Sequence, residues 1–216
     1  MTGELDPEAD AVARRVAAER HARLVRAPAE TEAPRLAPGA FQRRNFALAR
    51  TAAEAFLGRL DTAAVRRAAD EVEVPGRLQV VAERPLTLYD GAHNPSGARA
   101  LAEALPEVVA GRRPLVAVVA VLDDKDAAGM LRELAPSCDR MVFTRSSHPR
   151  SLSPATLTRL SEQLGGPPAE VVGDAHAAVE RARALAGPDG AVLATGSIYL
   201  VAELCREPGA ERASAL

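Results

Sequence analysis

The stretch LYDGAHNPSG, residues 88–97, runs from an apolar strand end straight into Asp90, Gly91, Ala92, His93, Asn94 and Pro95. The residues that follow, PSGARALAEALPEVVA, read as a helix, with Pro95 near its first turn, where a fixed φ and a missing N–H are tolerated. A strand that ends in Asp puts a carboxylate at the carboxyl edge of a sheet, where it can accept hydrogen bonds from a ribose diol. Gly91 lets a ligand approach the backbone. His93 and Asn94 fall on the turn and the open helix N-terminus, where amide dipoles favour anions. Taken singly, each of Asp90, His93 and Asn94 is a common capping or turn residue. The three together at one strand end point to a site.

Outward from this stretch the pattern is regular. RLQVVAE and LTLYD read as two short strands with Pro85 between them. PLVAVVAVL is a continuous apolar run of strand length, as expected for a strand buried on both faces. DAAGMLRELAPS is helical, RMVFT a strand, SPATLTRLSEQLG a helix and AEVVG a strand. DAHAAVERARALAG reads as a helix capped by Asp174 and ended by Gly187. GAVLATG and SIYLVAELCRE close the series as strand and helix. Strands alternating with helices of this length predict an α/β fold, a mostly parallel sheet with helices on both faces. Its ligands belong at the carboxyl ends of the strands. The first 75 residues differ: an amphipathic helix and a short strand-like piece, a Pro/Ala-rich linker (ETEAPRLAPGA), and a second helix from Phe41. Two helices and a linker make a poor domain and look like the edge of something larger.

Composition narrows the function. The formal charge of −2 and the 3% aromatic content leave neither a basic field nor stacking platforms for nucleic acid. No apolar run approaches the roughly 20 residues of a membrane span, and no signal peptide is visible. Cys138 and Cys205 are far apart in apolar surroundings and read as free thiols of a cytoplasmic protein. Ala and Arg are abundant, yet there is one lysine, Lys125, and only two asparagines, Asn45 and Asn94. Such bias marks a GC-rich genome, which makes the survivors worth attention. The single isoleucine, Ile198, passes the same test and reads as packing.

At these residues the sequence resembles the folylpolyglutamate synthase and dihydrofolate synthase family of the Mur ligase superfamily. DGAHNPSGARAL resembles that family's signature, PGRLQVV its upstream PGR, LDDKDAAGML its DKD segment and ATGSIYLVAELCR its closing helix. PGAFQRRNFALA is similar to the segment joining the central domain to the last one, and residues 2–27 to the tail of the ATPase domain. The resemblance implies a Mur ligase C-terminal domain over 76–206. It also implies a remnant of the central ATPase domain with the inter-domain helix over 1–60, a linker over 61–75 and a tail over 207–216.

The resemblance further implies an ATP-dependent ligase that adds L-glutamate to dihydropteroate or a folate through an acyl phosphate. Asn45 would bind ATP from the inter-domain side, Arg77 would reach the phosphates, Asp90 would hold the nucleotide, and His93 would lie beside it as a catalytic residue. Lys125, between Asp124 and Asp126, is either a surface ion pair worth little or a contact to substrate or phosphate. Ser197 is a helix cap or faces the amino acid. His148 and His176 read as loop and helix-surface residues, and His21 has nothing around it that suggests chemistry. The protein is expected to be a monomer.

One departure matters. The family's P-loop and central-domain magnesium ligands are not in the sequence, and no other Gly-rich phosphate loop replaces them. Phosphoryl transfer needs that positioning and charge neutralisation. The chain therefore reads as the C-terminal part of such a ligase, a truncated product or a fragment, with Mg²⁺ ligands supplied from elsewhere and no ligation by the chain alone. Two rivals stand beside this reading: a stand-alone α/β module that binds a nucleotide or partner without catalysis, and part of a Mur-type ligase with another amino-acid substrate.

Overall fold

The structure, a computed structural model, describes residues 1–28, 39–71 and 74–206. The Pro/Ala-rich stretch 30–40 lies largely outside these residues, and the tail 207–216 wholly so. The chain divides into two units, Met1–Glu73 and Val74–Leu216.

In the first unit, α1 (Pro7–Glu19) begins where Asp6 accepts from the Ala9 N–H at 2.8 Å and Pro7 takes the first helical position. The chain then returns past its own start through a parallel bridge between Thr2 and Arg26, with Arg14 and Arg26 both paired to Asp10. α2 spans Ala40–Leu57. The segment 61–75, read as a linker, holds a third helix, α3 (Thr62–Glu71), started by Asp61, whose carboxylate accepts from the amides of Ala63 and Ala64. Ala47 is the one fully buried apolar side chain among this unit's described residues, while Phe56 is 89% exposed. So little apolar area leaves water that the helices hold no core of their own.

The second unit is a six-stranded sheet in the order β1-β2-β6-β3-β4-β5. Its strands are β1 (Gln79–Glu83), β2 (Leu86–Tyr89), β3 (Leu115–Val119), β4 (Arg140–Phe143), β5 (Ala169–Val171) and β6 (Ala191–Thr195). β1 and β2 form an antiparallel hairpin across the Arg84–Pro85 turn, and every other pairing is parallel. Connecting the strands are α4 (Pro95–Val109), α5 (Ala127–Leu134), α6 (Pro154–Gln163) and α7 (Ala175–Ala186), with α8 (Ile198–Leu204) after β6.

All five residues of β3 and all five of β6 are buried, which is why those segments read as unbroken apolar runs. Val116, Val118, Val192 and Ala194 share one core with α7 and α8. Ala175, Ala178, Ala182 and Ala186 recur at helical spacing on α7, and their small size lets the helix lie close on the strands. The residues between, Leu115, Ala117 and Leu193, are equally dry beneath the layer in which α4 packs on α5 and α5 on α6. No helix among the described residues is long and apolar enough to cross a membrane. Cys138 is buried and its thiol is pushed up to about 12 by that burial. Cys205 is exposed at the end of α8, not in the apolar surroundings expected of it.

Candidate functional site

The carboxyl ends of β2 and β6 lie side by side, but the helices that follow them pack in different layers, α4 with α5 and α8 with α7. That divergence opens a crevice at the sheet's edge, the usual ligand position in such folds. Backbone bonds knit the crevice floor. The Asp90 N–H donates to Ala194 at 2.9 Å, the Gly196 N–H to Ala92 at 3.1 Å, and the Ala120 N–H to Thr195 at 3.2 Å.

The PGR turn docks onto this edge. The Gly91 N–H donates to the Gly76 carbonyl at 2.8 Å. Asp90 completes the junction: its Oδ2 accepts from the Leu78 N–H at 3.0 Å and its Oδ1 from the Ala92 N–H at 2.8 Å. Leu78 sits at φ 48°, a left-handed conformation that costs a non-glycine residue about 1–2 kcal/mol, so this bond holds a strained turn in place. Asp90 is only 3% exposed. Burial raises its carboxyl above the usual value, opposed by the two amide bonds and then by the charges of Arg77 and His93. The strand-end acid is thus aimed first at backbone.

Arg77 follows from that arrangement. It stands one residue before the anchored Leu78, its backbone N–H donates to the Val74 carbonyl at 3.1 Å, and its exposed guanidinium makes no hydrogen bond or ion pair among the described residues. A side chain at position 91 would come within 3.0 Å of Ile198 Cγ2 and 3.6 Å of Arg77 Nη1, so Gly91 keeps the floor between those two open. Ile198, read from sequence as packing, is 48% exposed there. Its rarity in the composition was the only signal. The His93 Nδ1–H donates to the Gly91 carbonyl at 2.9 Å, which leaves Nε2 as the nitrogen free to accept or carry a proton. Asn94 caps α4, its Oδ1 accepting from Gly97 at 2.7 Å.

The remaining candidates have partners of their own. Ser197, buried at the end of β6, caps α8 by accepting from the Tyr199 N–H at 3.1 Å. Lys125 lies in the loop after β3, paired to Asp124 at 2.9 Å, and Arg150 approaches the same carboxylate at 3.3 Å. The Lys125 hydrogen bond, with both cations, holds Asp124 below its ordinary pKa. Asp126 caps α5. Asn45 is exposed on α2 of the first unit, where its amide donates to Gln42 at 3.3 Å. Among the described residues no group of three or more His, Cys, Asp or Glu could hold a metal ion.

The junction of β6 with β3 makes a direct prediction. Gly196 has φ 101°, and a Cβ there would lie 2.5 Å from the Ala120 carbonyl oxygen. Gly196→Ala is expected to cost about 2–4 kcal/mol through strain and collision with backbone. Gly111→Ala, also at positive φ but with nothing within 4 Å, should cost less. Urea midpoints for the two variants check this, and equal shifts would contradict it.

Residues 76–198 match the model of the Mur ligase, glutamate ligase domain. The probable bifunctional folylpolyglutamate synthase/dihydropteroate synthase of Haloferax volcanii is 35% identical over 207 residues, which is 93% of this chain and 24% of that protein. The crystal structure of Mycobacterium tuberculosis folylpolyglutamate synthase complexed with ADP and AMPPCP superposes with a TM-score of 0.84 at 29% identity, covering 95% of this chain and 55% of that one. A bifunctional folylpolyglutamate synthase/dihydrofolate synthase from Yersinia pestis, complexed with AMPPNP and Mn ion, gives a TM-score of 0.69 at 30% identity, over 88% of this chain and 48% of that one. The chain therefore spans about a quarter of the first relative's length and about half of each solved chain, matching their C-terminal part. By motif, fold and domain match it belongs to the folylpolyglutamate synthase/dihydrofolate synthase family, of which it carries the Mur ligase C-terminal domain.

Proposed function

We propose that this chain is the C-terminal part of a cytoplasmic, monomeric ATP-dependent ligase that adds L-glutamate to dihydropteroate or to folates. In that reaction the acceptor's carboxylate takes the γ-phosphoryl group and ADP leaves. The glutamate amine then attacks the acyl carbon and phosphate departs. The observation that carries the reading is the Arg77 guanidinium, exposed and unpaired among the described residues, beside the open floor at Gly91, within the matched segment 76–198. A free guanidinium fork suits phosphate oxygens, and charge placed there neutralises what develops in phosphoryl transfer. Asn45 is a further candidate for contact with ATP. Asp90 serves it by fixing the turn that presents Arg77, with lone pairs left for a ribose hydroxyl. His93 offers Nε2 beside the reacting groups. Lys125 and Ser197 serve the glutamate side. Magnesium assists phosphoryl transfer from ATP, and its ligands are proposed to come from outside this chain.

The chain alone is expected to bind ATP and to ligate nothing. Thermal unfolding reads the first: ATP at a hundred times its Kd stabilises by about 2.7 kcal/mol. Ligation of glutamate to dihydropteroate and to a folate, assayed with the chain alone and with the full-length ligase, reads the second. Turnover by the chain alone, or no ATP-dependent stabilisation, would overturn this assignment.

A further inference from the structure

The loop between β4 and α6, residues 144–153, is tied to two neighbours. On one side it meets α8. The Ser147 N–H donates to Glu203 Oε2 at 2.7 Å, and the His148 ring lies 4.2 Å from the Tyr199 ring, tilted by 42°. On the other side it meets the loop after β3. The Asp123 N–H donates to the Arg150 carbonyl at 2.8 Å, the Leu152 N–H donates to Val121 at 2.8 Å, and Arg150 shares Asp124 with Lys125. Inside the loop the Arg150 N–H donates to His148 Nδ1 at 3.2 Å, and the Ser146 N–H to Ser151 Oγ at 3.1 Å. The loop is therefore a bridge from the exposed face of α8 to the backbone that carries Lys125. Neither Tyr199 nor Glu203 points its polar chemistry at Arg77, Asp90 or His93 in any hydrogen bond, so the nucleotide edge does not account for them.

We propose that Glu203 and Tyr199 clamp this loop and act as positioning residues for the amino-acid side of the site. The inference rests on the ligase reading above, in which Lys125 and Ser197 serve glutamate. The physical step is short. An ionised acceptor on a backbone N–H makes a strong, directional bond. Removing it loosens the loop next to the Arg150–Asp124–Lys125 pairing, while the backbone bonds at Arg150 and Leu152 remain. Ser197 caps α8, so the clamp also couples the end of β6 to the end of β3. Glu203 is a partly exposed side chain on α8, whose buried residues are Leu200, Val201 and Leu204, so its loss leaves the core intact.

Two measurements test this. In the chain itself, Glu203→Ala should speed hydrogen exchange at the Ser147 amide about tenfold or more, while Glu203→Gln, which keeps an acceptor oxygen, should leave it within a few-fold. In the full-length ligase, Glu203→Ala and His148→Ala should raise KM for glutamate about tenfold, with KM for ATP within twofold, and Glu203→Gln should recover most of the loss. Unchanged exchange in Glu203→Ala overturns the clamp. Altered exchange with an unchanged KM for glutamate, or an equal rise in both KM values, overturns the positioning role. A wild-type ligase that consumes no glutamate would instead refute the parent assignment, and the exchange measurement would still decide the clamp.

Discussion

Arg77→Ala in the full-length ligase is expected to raise KM for ATP about 10- to 100-fold while the melting temperature stays within about a degree. The first number follows from the chemistry of a charge-assisted bond. Such a bond to phosphate is worth about 1.5–3 kcal/mol, and each 1.4 kcal/mol is tenfold in affinity. The second follows from the structure. The guanidinium is exposed and makes no hydrogen bond or ion pair among the described residues, so the folded chain loses no contact, only a charge near Asp90. Arg77→Lys should fall between, since an ammonium keeps the charge but not the planar fork. Steady-state kinetics beside thermal unfolding gives both readings at once. A large drop in melting temperature would make Arg77 a structural residue.

Asp90 should behave in the opposite way. Asp90→Ala leaves the buried amides of Leu78 and Ala92 without their acceptors, at about 1–3 kcal/mol each. A loss of about 2–6 kcal/mol lowers the melting temperature by roughly 4–24 °C in a chain of this size. Asp90→Asn is not a mild control here. Its NH₂ must face one of the two N–H donors, so one amide is still orphaned and roughly half the loss is expected. KM for ATP should rise in both variants, because the turn that presents Arg77 loosens. Calorimetric unfolding of the chain and ATP kinetics of the ligase separate the readings. An Asp90→Asn protein as stable as the wild type, with KM raised, would mean the carboxylate's main partner is the nucleotide.

The contrast between these two residues shows how far residue types reach. Asp at a strand end, Asn before Pro-Ser-Gly and Asp before Ala-His-Ala announce edges and caps, and Asn94, Asp126, Asp174 and Ser197 are found capping. The unbroken apolar runs of β3 and β6 announce burial on both faces. Which way the Asp90 carboxylate turns is not local information. It depends on the PGR turn docking from twelve residues away, in a left-handed geometry at Leu78 that its side chain does not advertise. The same holds for Glu203, whose partner Ser147 lies 56 residues earlier in a loop. TAAVRRAADE, over 62–71, could pass for a linker because its helix buries nothing that would force an apolar stripe.

β6 is the last strand to be made, yet it sits between β2 and β3 and is the only strand that touches both. During synthesis the sheet therefore exists as two separate pieces, a hairpin of β1 and β2 and a parallel trio of β3, β4 and β5. Their joining waits until residues 191–195 have left the ribosome, and the pairings that close it, such as Leu86 with Ala191 and Leu115 with Ala191, are far apart in the chain, a slow and entropically costly step. Until then β2 and β3 present open edges able to pair with another chain. The crevice at the carboxyl ends of β2 and β6 comes into being in the same event that completes the sheet. A nascent chain stopped short of Thr195 should thus be unable to recognise a nucleotide and prone to aggregate, and the gain of binding marks the end of folding.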